Sequence, residues 1–332
     1  MKYAYFPGCS LESTAWDFDR STRAVCRELG IELEEIPNWV CCGSTPAHSS
    51  NASLAVALPV LNLQKAQAMG HPVLTACASC YARLRKANHQ VRNEAHQREQ
   101  AERVTGNPYA GEVEVHHVLD VLVNQFGLDG IRKKVQRSLA GLRVACYYGC
   151  LLTRPPDVVA FDNAENPTCM DDLVAALGAE PVAWPYKTEC CGASLSITQT
   201  KVVERLGRRL LLMARQAGAR CIIVACPLCQ LNLDLRQSDA AKAGDGFPAT
   251  PVLYVTQILG LALGLSAMDL GLDVLSVSAD ALLSEISPSI PGEGHGVRAG
   301  GNGNEMIGRM GRIGSMTECC GAAVASDEGG AS

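Results

Sequence analysis

What this 332-residue chain is short of narrows what it can be. Lys and Arg together number 29 against 34 Asp and Glu, for a formal net charge of -5. A nucleic-acid binder held by phosphate contacts needs the opposite balance or a basic stripe. Long apolar runs are also missing. The longest covers residues 258–267 and soon meets Asp269, whereas a membrane span needs about twenty apolar residues. The N-terminal sequence Met1-Lys2-Tyr3-Ala4-Tyr5-Phe6-Pro7-Gly8-Cys9 has no apolar core of a secretory signal, so a reducing cytoplasm is the expected compartment. Charged residues are scarce too, at 19% against 47% hydrophobic, which rules out a disordered chain and allows a sizeable core. The length suits about two domains. Lys is sparse beside Arg and Ala is plentiful, a bias that points to a bacterial source.

Cysteine is the residue in excess. There are 16, too few for a small disulfide scaffold at roughly 8–10% and too many for chance in a reducing compartment. Their spacing exposes an internal repeat. Gly8-Cys9, Cys41-Cys42-Gly43 and Cys77-Ala78-Ser79-Cys80 are followed by Gly149-Cys150, Cys190-Cys191-Gly192 and Cys226-Pro227-Leu228-Cys229. Cys41 to Cys77 and Cys190 to Cys226 are both 36 positions; the first gap differs, 32 against 40, which fits a loop insertion in the second copy. Short apolar runs at residues 2–6, 73–76, 143–148 and 222–225 read as strands that stop at the cysteines. Residues 113–115 and 252–255 read as strands running into apolar helices. A helix lies between the CCG and CxxC of each copy. In the second copy Val203, Leu206, Leu210 and Met213 form its apolar face, opposite Arg205, Arg208, Arg209 and Arg215.

This alternation predicts an α/β fold of two pseudo-symmetric domains, each a mainly parallel sheet flanked by helices. The expected boundaries are 1–140 and 141–287, followed by a Gly-rich tail over 288–332. The cysteines fall where strands end and helices begin. That edge is where α/β sheets place ligands and where free N–H groups favour thiolate charge.

A mononuclear zinc site closes with four ligands, and a cubane cluster also takes four. Five cysteines per copy, two of them adjacent, exceed both and favour a polynuclear iron–sulfur centre. Zinc in at least one copy, or metal-free redox dithiols, are the alternatives.

The paired patterns C-x31-CCG-x33-CxxC and C-x39-CCG-x33-CxxC, with Tyr148-Gly149-Cys150-Leu151-Leu152 and no fused ferredoxin domain, resemble the duplicated cysteine-rich CCG domain of the heterodisulfide reductase B subunit, over about residues 1–270. The resemblance implies two noncubane 4Fe–4S clusters facing each other at the domain interface. One would be held by Cys9, Cys41, Cys42, Cys77 and Cys80, the other by Cys150, Cys190, Cys191, Cys226 and Cys229. It also implies an oxidoreductase that cleaves or forms a disulfide or related sulfur bond, fed by a ferredoxin-like subunit with a flavin-containing subunit behind it. In bacteria the substrate would be a disulfide, a thiol or a lipoate-bound sulfur. Methanogen-type reduction of the coenzyme M–coenzyme B heterodisulfide, and an electron relay in a lactate or glycolate oxidase complex, are alternatives. Nothing in the chain resembles a flavin or nucleotide site.

Outside the ten cysteines, His48 lies in a loop where a proton donor to a departing thiolate would be useful; a solvent- or backbone-bonded histidine is the plain reading. Cys26, Cys146, Cys169 and Cys221 have no repeat partner and read as core. His116 and His117 align with Thr256 and Gln257; the asymmetry argues against a symmetric role and leaves one of the two as a candidate to line the site. Lys187 and Arg154 either attract an anionic substrate or form ion pairs. The tail carries Thr317-Glu318-Cys319-Cys320-Gly321-Ala322, identical to residues 188–193 but with no CxxC after it.

Overall fold

The computed structural model describes residues 1–44, 46–237 and 249–286, the side chains of Pro46 and His48 excepted. The Gly-rich tail and its Cys319-Cys320-Gly321 sequence lie outside the described residues.

Four parallel strands build each half. In the first, β1 (Lys2–Tyr5), β2 (Glu32–Glu35), β3 (Val73–Thr75) and β4 (Val115–His117) lie in the order β2-β1-β3-β4. In the second, β5 (Arg143–Tyr147), β6 (Glu180–Pro181), β7 (Cys221–Val224) and β8 (Val252–Tyr254) lie in the order β6-β5-β7-β8. The two sheets with their flanking helices are the α/β architecture the repeat predicts. β3, β7 and β8 are buried along their whole length, as apolar strands covered by helices on both faces must be. The chain changes direction across the sheet between β1 and β3, and again between β5 and β7, which opens a crevice at the C-terminal strand edge.

The edge strands β2 and β6 are the elements the sequence reading misses. β2 is Glu-Leu-Glu-Glu, largely exposed and paired only with β1, its acidic side chains Glu32 and Glu34 bridged by Lys2. β6 is two residues long and contains Pro181, which suits an edge.

Capping marks one long helix and apolar periodicity another. Ala52–Met69 starts at Asn51, whose side chain accepts the Leu54 N–H at 3.1 Å, and ends at Gly70. Thr200–Gln216 buries Val203, Gly207, Leu210, Leu211 and Ala214. Leu206 and Met213 are only half-buried, so the inward face is rotated from the expected one. Gly207 lacks a side chain, and a Cβ there would lie 3.7 Å from the Asn232 carbonyl oxygen, so the helix lies close on that side.

The halves hold each other reciprocally. The helix after β8, Val255–Ala262, packs on Trp16–Leu29 of the first half. The helical stretch after β4 packs on Cys169–Ala176 of the second. Across this seam Phe18 stacks on Tyr254 with ring centroids 3.9 Å apart, Ser21 and Thr256 share a buried hydroxyl pair at 2.7 Å, and Gln257 donates to Asp17 at 3.2 Å. The described residues form one compact unit.

Strand pairing also corrects one alignment. Thr75 lies beside His117 and Val224 beside Tyr254, and both Thr75 and Val224 stand two residues before a CxxC. His117 therefore corresponds to Tyr254, not to Gln257. β4 runs to His117 rather than stopping at Val115, and that shifts the register.

Candidate metal centre and the cavity beside it

Each cysteine set is assembled at the C-terminal edge of its sheet. β1 and β5 lead into Gly8-Cys9 and Gly149-Cys150, and β3 and β7 end just before Cys77 and Cys226. Cys77 and Cys226 are the N-cap residues of Ala78–Asn93 and Pro227–Asp234, which puts Cys80 and Cys229 in the first helical turn. The glycines of the Gly-Cys turns are required twice over. Both have positive φ (73° and 67°), and a Cβ would stand 2.8 Å from the Cys80 sulfur at Gly8 and 3.1 Å from the Cys229 sulfur at Gly149.

The sulfurs meet in chains. Cys42 and Cys80 are 3.4 Å apart, and their counterparts Cys191 and Cys229 are 3.6 Å apart. Cys41 contacts Cys42 and Cys9, and Cys80 also contacts Cys77. In the second half Cys150 lies 4.0 Å from Cys190, and Cys229 contacts Cys226. All ten positions predicted from the spacing are thus gathered into two groups of five, one per half. Cys42, Cys77, Cys80, Cys191, Cys226 and Cys229 are buried, Cys150 is half-buried, and Cys9, Cys41 and Cys190 are exposed at the rim.

Packed thiols drive one another's ionisation apart. Hydrogen bonding to Cys41 pushes Cys9 up and Cys42 up to about 12, and Cys42 in turn raises Cys80. Cys41 itself is held low by Cys42 and Cys9. A hydrogen bond from Cys150, helped by the Gly192 N–H 3.3 Å away, brings Cys190 down to about 6. Cys226 is lowered by Cys229 and by the N–H groups of Cys229 and Leu228. Five thiols this close cannot all ionise by themselves; soft cations must arrive to displace the remaining protons. Among the described residues no group of three or more Cys, His, Asp or Glu side chains is already arranged to hold a metal ion. A chain of five sulfurs in the first half, and a pair and a trio around one cavity in the second, fit a centre containing several metals.

A cavity of about 400 Å³ opens between the halves. The second half contributes Cys150, Cys190, Cys191, Cys226 and Cys229, and the first contributes Ala78 and Ser79 from inside its CxxC, together with Ser44 and Arg83. His48 falls on the short helix Pro46–Ser50, whose Ser49 reaches the cavity; the His48 side chain is outside the described residues.

His117 is a finding that residue-by-residue sequence reading missed. Its ring is fully buried. Nδ1 accepts the Leu119 N–H at 3.1 Å, so the proton is on Nε2, which donates to the carbonyls of Ala76 at 2.8 Å and Ala225 at 3.1 Å. Those carbonyls immediately precede Cys77 and Cys226, so one imidazole ties together the two CxxC turns. Burial lowers its pKa to about 4. His116 instead faces outward and pairs with Asp120 at 2.7 Å, which raises its pKa. Cys26, Cys146, Cys169 and Cys221 are buried in the core. Lys187 is paired with Asp171 at 2.8 Å and Arg154 with Glu165 at 3.2 Å, which settles both as ion-pair partners.

The CCG cysteine-rich domain matches this chain twice, over residues 3–85 and 144–234, and the chain belongs to that family. The 8-methylmenaquinol:fumarate reductase membrane anchor subunit of Wolinella succinogenes is 34% identical over 282 residues, 85% of this chain and 99% of the relative. The B subunit of the ferredoxin/F(420)H(2)-dependent CoB-CoM heterodisulfide reductase of Methanosarcina acetivorans is 29% identical over 291 residues, 86% of this chain and 97% of the relative. The crystal structure of a hypothetical protein from Helicobacter pylori shares the fold at a TM-score of 0.67 and 13% identity. It covers 83% of this chain, which spans about half (52%) of that one. The CCG repeats and these relatives mark an iron–sulfur subunit of the heterodisulfide reductase type. Among the described residues no helix is long and apolar enough to cross a membrane.

Proposed function

We propose that the chain is the iron–sulfur subunit in which a heterodisulfide reductase-like complex cleaves or forms a disulfide or related sulfur bond, acting in bacterial sulfur metabolism. The supporting observation is the cavity of about 400 Å³, which touches all five cysteines of one half and the CxxC loop of the other. Cys9, Cys41, Cys42, Cys77 and Cys80 would hold one noncubane 4Fe–4S cluster, and Cys150, Cys190, Cys191, Cys226 and Cys229 the other. When bound, these clusters supply two electrons, and iron to receive the two sulfurs, as a disulfide and two protons become two thiols. The chain's own part is to hold both thiolate sets at fixed separation through His117 and the seam. It also shields the sulfurs with Leu151, Ala193 and Leu228, and offers His48 as proton donor to the departing sulfur. Electrons would come through a ferredoxin-like subunit from a flavin-containing one. The thiol-rich sequence favours the cytoplasm.

The test is iron and acid-labile sulfide analysis of the anaerobic protein, followed by electron paramagnetic resonance with and without thiols. A signal that depends on added thiol is the expected result; zinc in place of iron, or a spectrum indifferent to every thiol, overturns the reading. In the second case the Wolinella relative favours another role, an electron-transferring component of a fumarate reductase-type complex held at the membrane by its surface.

A further inference from the structure

The two walls of the cavity come from equivalent positions but differ in chemistry. Ser44 follows Cys42-Gly43, where the second half has Ala193. Ser79 lies within its CxxC, where the second half has Leu228. Three residues beyond the last cysteine stands Arg83, where the second half has Asn232. Asn232 is already engaged: it donates to the Cys191 carbonyl at 3.3 Å and accepts the Ser196 hydroxyl at 2.9 Å. Arg83 is half-buried between this cavity and a second one lined by Lys86, Gln90 and Gln97; its charge acts on Cys42, and it makes no hydrogen bond or ion pair with any described residue. The hydroxyls of Ser44 and Ser79 are 2.6 Å from each other on the same wall. The nearby cations Lys187 and Arg154 are committed to Asp171 and Glu165. The cavity therefore has its cation on the first-half wall, beside Ser44 and Ser79, while the second-half wall has no cation and carries an apolar patch of Leu151, Ala193 and Leu228 beside Tyr148, Ser194 and the thiols.

We infer that Arg83 is a specificity-determining residue that selects sulfur substrates with an anionic group on one arm, its guanidinium taking the anion beside Ser44 and Ser79 while the other arm rests on the apolar wall. This rests on reading the cavity as a sulfur-substrate site. A half-buried guanidinium with the Cys42 charge near it but no hydrogen-bond acceptor is under-solvated, and a carboxylate, sulfonate or phosphate supplies the two acceptor oxygens its fork is shaped for. The same wall gives a neutral arm no such gain. An asymmetric substrate would consequently enter in one orientation, anion toward the first half.

The test uses the full chain loaded with iron and sulfide under anaerobic, oxidised conditions. Binding of the monomethyl ester of 3,3′-dithiodipropionate, with one carboxylate, and of the uncharged dimethyl ester is measured by calorimetry. In the wild type the monoanion should bind about tenfold more tightly. Arg83→Met and Arg83→Gln should erase that preference, and Arg83→Lys should keep part of it. Equal affinity for monoester and diester in the wild type overturns the inference, as does a preference that survives both neutral variants. Should either neutral variant fail to fold, the wild-type comparison and the other variant still decide. Calorimetry reads binding whether or not sulfur reaches the metal. Charge indifference there defeats Arg83's role alone, and a spectrum unmoved by any thiol defeats the functional reading alone.

Discussion

The two halves repeat a sheet order, a cysteine spacing and a pair of strained glycines, yet differ wherever one half looks toward the other. At the end of the fourth strand the first half has His117, which hydrogen-bonds the backbone of both CxxC turns; the second half has Tyr254, which stacks on Phe18. The contrast separates two demands. Holding five sulfurs requires the same local geometry in both halves, so those positions match. Joining two copies requires complementary surfaces, and a single ring on the joint can belong to only one of them.

The comparison breaks most readily at the sulfurs. Cys80→Ser and Cys229→Ser each remove a sulfur that contacts two others, and each should release roughly half of the bound iron while the opposite half stays loaded. Iron per chain measured after anaerobic reconstitution checks this. Total loss from either variant would show that the sets do not load independently.

The next largest effect is at His117. Replacement by Leu strands two buried carbonyls and should cost about 3 kcal/mol in urea unfolding, whereas Gln can still donate one hydrogen bond and should cost about 1 kcal/mol. The same residue sets a pH dependence. Its folded pKa of about 4 lies below the ordinary value near 6.5, so the unfolded chain takes up the proton first. Its contribution is thus complete above pH 6.5 and falls away as the pH drops toward 4, by about 3 kcal/mol in all. The wild type should show this slope and His117→Gln should lack it; parallel profiles would remove the imidazole from the argument.

The smallest difference sharpens the comparison between the glycines. Gly8→Ala brings a methyl 2.8 Å from sulfur and Gly149→Ala one 3.1 Å from sulfur, both at positive φ. The first should lower stability by about 2 kcal/mol and the second by about 1 kcal/mol. Urea midpoints of the two variants provide the measure, and the reverse order would contradict the packing described.

What could be read in advance follows the strength of the local signal. The ten cysteines, the apolar central strands and the helices between CCG and CxxC stood out because a fixed spacing or period marks them. β2 stayed hidden because an exposed edge strand has no apolar run, and β6 because two residues with a proline carry no pattern. His117 was visible as a residue, but its partners are carbonyls 41 and 108 positions away, which no local pattern encodes. Arg83 was within reach: setting it against Asn232 in the repeat alignment would have drawn attention to it.

The exchange of helices across the seam has a consequence for how such a chain can evolve. Val255–Ala262 finishes the core of the opposite half, and the stretch after β4 does the same in return. Neither copy is a portable module, then, to be shuffled into another gene or trimmed away. A lineage that lost one cysteine set would still have to keep the whole polypeptide, retaining that copy as scaffolding for the other.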